Sequence, residues 1–270
     1  MQLKSVGIQT DLMFRRFEGE VIEKEHYIVI RTPKNPGYRW GNFLVFREAP
    51  KADALKKWKR IFSQEIGKPP LYNHFAFGWD NTEGNVGVIQ PFLEAGFKLD
   101  KSAVMTTQSL NPPPKLNTDC VVRSFDDNDW QDWIDLEVAM NLAEPEHSRE
   151  NDDAGFRNYL QGKVSEYQAM TRAGLGQWFG AFVDGELASS LGLFVWEKLG
   201  RFQMVATHPK FRRQGLAGTL VYHAAQKGLS EMGAETLVMC ADPDYVAIKI
   251  YESVGFKTTE TIVGLDWHKG

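Results

Sequence analysis

Cysteine is scarce in these 270 residues: Cys120 and Cys240 are the only two. Two are too few for a disulfide framework, and the first ten residues have no apolar core of a secretory signal, so a reducing, cytoplasmic setting is expected. Apolar runs are short as well. None approaches the ~20 residues that a helix needs to cross a bilayer, so no membrane partner is expected. The six histidines are scattered, and no Cys/His cluster has metal-ligand spacing, so no metal is expected. Positive charge is not in excess either: 31 Lys and Arg against 35 Asp and Glu leave a net charge of −4. That balance argues against nucleic acid as the main partner. Gly-x-Gly-x-x-Gly and a Gly-Lys-Ser/Thr loop are both missing, which disfavours a dinucleotide-binding fold and a P-loop NTPase.

With 43% apolar and 24% charged residues, the composition is that of a soluble globular chain with a full core and room for two modest domains. The densest chemistry lies at Val205-Ala-Thr-His-Pro-Lys-Phe-Arg-Arg-Gln-Gly-Leu-Ala-Gly-Thr219. The apolar run 202–206 reads as a strand that stops at Pro209, which has no N–H for a ladder. Arg212 and Arg213 follow, then Gly215, Ala217 and Gly218 at the start of an apolar-periodic segment that reads as a helix. A helix start supplies unpaired N–H groups and the positive end of a dipole, and small residues let an anion approach the main chain. Guanidinium groups suit paired phosphate oxygens. A pyrophosphate is expected here.

Arg212-Arg-Gln-Gly215-Leu-Ala217 resembles the Arg/Gln-x-x-Gly-x-Gly/Ala signature of the GNAT acyl-CoA-dependent N-acetyltransferases. Downstream, Ala247-Ile-Lys-Ile-Tyr251-Glu-Ser-Val-Gly255-Phe256 is similar to that family's late segment, Ala-x-x-hydrophobic-Tyr-x-x-hydrophobic-Gly-Phe. The resemblance covers residues 120–270. It implies an α/β (α+β) acyltransferase fold, a mixed and largely antiparallel sheet flanked by helices, with acetyl-CoA as co-substrate. The implied reaction moves an acetyl group to a primary amine on a small-molecule or peptide acceptor. The implied coenzyme contacts are Val205, Ala206 and Thr207 on the strand, and Arg212, Arg213, Gln214, Gly215, Leu216, Ala217, Gly218 and Thr219 beyond it. Tyr251 takes the family's role of acid for the departing thiolate, and a main-chain N–H near Val205, Ala206 or Thr207 is expected to hold the thioester carbonyl. The coenzyme slot is expected where the strand over 235–240 splays from the strand before the loop.

The general base stays open. Many relatives carry a glutamate where this chain has Gln203, and an amide takes no proton. Glu137, Glu144, His147 and His208 are candidates by residue type alone. Asp244 stands where relatives often have asparagine, which puts one coenzyme or substrate contact in question. A module that binds or senses coenzyme A without turnover is the alternative to an enzyme. A monomer or homodimer is expected.

Phe92-Leu-Glu-Ala-Gly96-Phe97-Lys98 matches Tyr251-Glu-Ser-Val-Gly255-Phe256-Lys257, and working backwards places a strand ending at Trp79-Asp80 and a helix over 53–66 where Ala241-Asp242 and the Gly215 helix fall. Such self-similarity suggests a tandem arrangement: a divergent, partial copy over 1–115 and the acetyltransferase domain over 119–270. The alternative is that any helix ending in Gly-Phe gives the same match, since glycine is the common C-terminal cap. The first copy has Glu48-Ala-Pro-Lys-Ala52 in place of the glycine loop and is expected not to bind coenzyme. Its aromatic groups, at 38–40 and 75–79, either line an acceptor pocket or form core. In sequence order, strands are expected over 20–31, 42–46 and 72–79. The proline-rich seam 109–115 follows, then a strand over 120–125 and helices from 129 and over 157–172. Asp184-Gly185 marks a hairpin, a strand runs over 200–207, and a helix over 215–232. The expected order closes with a strand over 235–240, a helix over 245–254 and a strand over 257–266.

Overall fold

A computed structural model describes residues 2–143 and 153–269. The chain divides into two compact units, one of residues 1–105, 240–245 and 258–270, the other of residues 106–239 and 246–257.

In the first unit α1 (Val6–Glu18) precedes β1 (Glu20–Glu23), β2 (Tyr27–Arg31), β3 (Phe43–Phe46), α2 (Ala54–Glu65), β4 (His74–Trp79), α3 (Gln90–Glu94) and β5 (Lys98–Thr107). The single strand expected over 20–31 is a hairpin. Lys24-Glu-His26 turns it, with the Lys24 N–H donating to the Tyr27 carbonyl at 2.9 Å. Sequence reasoning passed over α1, whose N-terminus is capped by Ser5. Ser5 and Lys4 also donate their backbone N–H groups to the buried Asp80 carboxylate. β3 and β4 run parallel with α2 as the crossover, and the neighbouring pairs β1–β2 and β2–β3 are antiparallel. Phe77 and Trp79 of β4 are fully buried together with Trp58, Phe62 and Phe92. Phe77 and Trp79, with Phe62 and Phe92 around them, are core.

In the second unit β6 (Val121–Ser124), α4 (Asp129–Ala143), α5 (Asp153–Arg172), β7 (Gly176–Val183), β8 (Glu186–Trp196) and β9 (Leu199–Thr207) lead to α6 (Leu216–Ser230), β10 (Thr236–Ala241) and α7 (Ala247–Val254). The sheet order is β10-β9-β8-β7-β6, antiparallel except for the β9–β10 pair. The β7–β8 turn has Asp184 and Gly185 both at positive φ, 50° and 84°, as a type I′ turn requires. Side chains alternate across a sheet. Leu193 lies where a Cβ on Gly228 of α6 would meet it, while its neighbour Phe194 stacks on Tyr167 of α5. The helices α5 and α6 therefore cover opposite faces.

Each half of the sequence runs through the same order: three antiparallel strands, a helix, a parallel strand, a short helix and a last strand. The expected repeat is present in the structure. The last strand of the second half, β11 (Lys257–His268), pairs antiparallel with β4 and thus completes the sheet of the first unit.

Candidate active site

β9 and β10 are paired only between Leu199–Arg201 and Thr236–Val238. Beyond Arg201, β9 runs on to Thr207 without that partner. On its other edge Gly192 of β8 faces Gln203 and Ser190 faces Ala206, so one β8 residue stands opposite Met204 and Val205. This is a bulge, which takes a peptide out of the ladder and re-aims it. Met204 sits in the left-handed region at φ 44°, and its sulfur accepts from the Tyr167 hydroxyl at 3.5 Å. No sequence signal marked it: a methionine within an apolar run reads as ordinary strand. Ala206 and Thr207 are held more tightly, since the Ser189 hydroxyl donates to the Ala206 carbonyl at 2.6 Å and shares a hydrogen with Thr207 Oγ1 at 2.9 Å.

After β9 a single 3₁₀ turn, Pro209–Phe211, is capped by His208, whose Nδ1 accepts from the Lys210 N–H. The loop then enters α6 with Arg213 at φ 64° and Gly215 at φ 81°. Left-handed residues two apart curl the backbone so that successive N–H groups converge. Among the described residues, the N–H groups of Arg213, Gln214, Gly215, Leu216, Ala217 and Gly218 have no acceptor, and α6 has no side-chain cap. Thr219 is the first residue whose N–H is bonded, to the Gly215 carbonyl at 3.0 Å. Six amides in a row are left open at the positive end of a helix, a place suited to an anion.

The glycines there serve a purpose that the sequence did not reveal. A Cβ on Gly215 would lie 2.3 Å from the Lys115 carbonyl oxygen, and one on Gly218 would lie 3.3 Å from Pro113. Gly215 thus makes room for the chain's own segment, and its left-handed φ strains any L side chain. The two arginines also part ways. Arg212 is half-buried with Nη2 3.1 Å from the Met140 sulfur on α4, whereas Arg213 is exposed to solvent.

Tyr251 is 6% exposed on α7, which packs on the first turn of α6: a Cβ on Gly218 would lie 3.6 Å from Ile250. Of the candidate bases, Glu144 and His147 lie outside the described residues. Glu137 is buried on the face of α4 that carries Trp133 and Met140. Trp133 meets Tyr167 and Met140 meets Arg212, so Glu137, between them on one helix face, is set over the bulged end of β9. Gln203 is half-buried on β9, and exposed Asp244 donates its N–H to Asp242 at 2.9 Å. Among the described residues no group of His, Cys, Asp and Glu could hold a metal ion, and no helix is long and apolar enough to cross a membrane.

A family model, the acetyltransferase (GNAT) family, matches residues 130–256. That segment, which contains the loop, the bulge and Tyr251, is a GNAT domain, and the first half of the chain fits a second GNAT-like fold. Similar solved structures span nearly the whole chain. A conserved protein of unknown function from Staphylococcus epidermidis superposes with a TM-score of 0.71 at 13% identity, covering 94% of this chain and 95% of that one. A GCN5-related N-acetyltransferase from Kribbella flavida gives 0.62 at 14% identity, over 98% and 93% of the two chains. A tandem GNAT protein from the clavulanic acid biosynthesis pathway gives 0.51 at 13%, over 74% and 65%. At such identities the likeness is one of fold. No curated protein matches the sequence.

Proposed function

We propose that the second unit transfers an acetyl group from acetyl-CoA to a primary amine. The observation that carries this reading is the run of six open amides at 213–218, which follows the bulged end of β9 that β10 leaves. In this reading the diphosphate of the co-substrate lies on those amides, with exposed Arg213 adding charge. The pantetheine arm follows β9 where β10 has left it, and an N–H freed at Met204–Val205 polarises the thioester carbonyl.

The amine nitrogen then attacks the carbonyl carbon and the carbon–sulfur bond breaks. Tyr251 gives its phenolic proton to the departing sulfur, and the amine loses one proton to a base. Glu137 suits the second role by its placement: it is a buried carboxylate on the α4 face that reaches both Tyr167 and Arg212. Acetyl-CoA with a mixed panel of primary amines, followed by free thiol, tests the reaction. Thiol release that depends on an amine is the expected result.

Gln203 favours a second reading, a module that binds coenzyme A without turnover, because an amide accepts no proton. Tight coenzyme A binding with no thiol release from any acceptor would select it. Amine-dependent release that is lost in Glu137→Gln and kept in Gln203→Glu would exclude it.

A further inference from the structure

The proline-rich stretch at 109–115 has the composition of a passive linker, and its contacts are of another kind. Ser109 and Asn111 pass the C-terminal end of α7, where the Asn111 N–H donates to the Val254 carbonyl at 2.9 Å and a Cβ on Gly255 would come within 2.8 Å of the Ser109 oxygen. Pro113 passes Gly218, and Lys115 passes Gly215. The glycines of both signature segments thus face one strap of chain.

Where the strap meets the loop it offers donors. Lys115 Nζ donates to the Arg213 carbonyl, and Asn117 Nδ2 donates to the Gln214 carbonyl at 3.0 Å. The Asn117 N–H donates to Thr219 Oγ1 at 2.8 Å. Asn117 is itself oriented, because its Oδ1 accepts from the N–H groups of Asp119 and Cys120 at 2.9 and 3.0 Å.

In a trans peptide the carbonyl of one residue and the N–H of the next point in opposite directions. Fixing the carbonyls of Arg213 and Gln214 toward the strap therefore aims the N–H groups of Gln214 and Gly215 away from it, on the open side. A strap that blocked the anion site would offer carbonyls to those amides, and none is so bonded among the described residues.

We infer that Asn117 and Lys115 are positioning residues: the strap holds the 213–215 peptides in the orientation that turns their amides into an anion cradle. The inference rests on the coenzyme reading above for the identity of the anion, and on the strap's geometry for everything else.

Asn117→Asp keeps the acceptor for Asp119 and Cys120 and removes the donor to Gln214 but adds a negative charge. The uncharged Asn117→Ala is therefore measured beside it and should weaken binding in the same direction. Two measurements on the full chain separate the possibilities. The first is the amide resonances of Gln214 and Gly215 in the ligand-free protein. The second is affinity for coenzyme A, for inorganic pyrophosphate and for acetyl-pantetheine, which lacks the diphosphate. The expected result is shifted 214 and 215 amides with coenzyme A and pyrophosphate binding weakened at least roughly tenfold, and acetyl-pantetheine binding unchanged. In turnover, KM for acetyl-CoA rises while kcat at saturation stays. Lys115→Ala gives a smaller loss in the same direction, and Lys115→Arg restores it.

Unmoved amides, or unchanged affinity in both Asn117→Asp and Lys115→Ala, would overturn the strap's role while leaving the coenzyme reading intact. Wild-type protein that binds pyrophosphate but not coenzyme A would instead overturn the coenzyme reading and leave the strap. Equal weakening for acetyl-pantetheine would show general loosening of the fold and sink the inference.

Discussion

The β3–α2 and β9–α6 junctions are the same crossover built twice. In each, a strand leads through a loop into a helix that returns to a parallel neighbour. At the second junction the loop has left-handed residues at 213 and 215 and leaves its amides open. At the first, no residue from 47 to 53 has a positive φ. There Phe46 stacks on Trp58 at 3.9 Å and 7°, and Glu48 pairs with Lys51 at 2.7 Å. A pocket of about 340 Å³ remains, lined by Tyr27, Phe46 and Trp58 together with charged side chains such as Arg47, Lys51 and Lys57. The Tyr27 phenol is pushed up to about 12, chiefly by burial and then by its bond to Glu65. The open amides of the second junction thus follow from a few loop dihedrals, and the crossover alone does not create them.

The largest break in that contrast should come from Gly215→Val. A side chain there meets the Lys115 carbonyl and a strained φ, so coenzyme A affinity is expected to fall by more than roughly 100-fold, about 2.7 kcal/mol. Asp53→Val, at the N-cap of α2 that matches Gly215 at the start of α6, should leave it unchanged, as calorimetry would show.

Tyr251 aligns with Phe92, so Tyr251→Phe gives the second unit the residue of the first. Turnover is expected to drop by about 100-fold with coenzyme A affinity nearly constant. An unaltered rate would remove Tyr251 from the reaction. Stoichiometry sharpens the comparison directly: one coenzyme A should bind per chain, and two would mean that the first junction also cradles a diphosphate.

Acid should separate the units more gently. Burial holds the His74 imidazole below its usual 6.5, against the pull of its bond to the Asn42 carbonyl. The fold therefore keeps it neutral, and that contribution, whole above pH 6.5, is lost as pH falls below it. Burial would raise the Asp129 carboxyl in the second unit, but bonds from Arg123 and the Asp126 N–H outweigh it and hold it below 3.8. Its contribution, whole above 3.8, is lost only as pH falls through the lower folded value. Hydrogen exchange across pH 7 to 4 should show the first unit softening first. Asp129→Asn should cost about 1–3 kcal/mol and remove the acid limb of the second.

The sequence alone determined most of the element order. Periodicity marks α2, α4 and α6, Asp184-Gly185 marks the hairpin, and two spaced signatures single out the loop before α6 and Tyr251. Those signals are local, because a turn dihedral or a helix face is set by residues close in the chain. The tertiary structure decided the rest. It put β11 beside β4, bulged β9 at Met204, buried Glu137 on α4 and laid the 109–117 strap over the loop's glycines. Each depends on a partner tens of residues away or more. A glycine kept clear for a carbonyl 100 positions upstream reads, in sequence, like a glycine kept clear for a ligand.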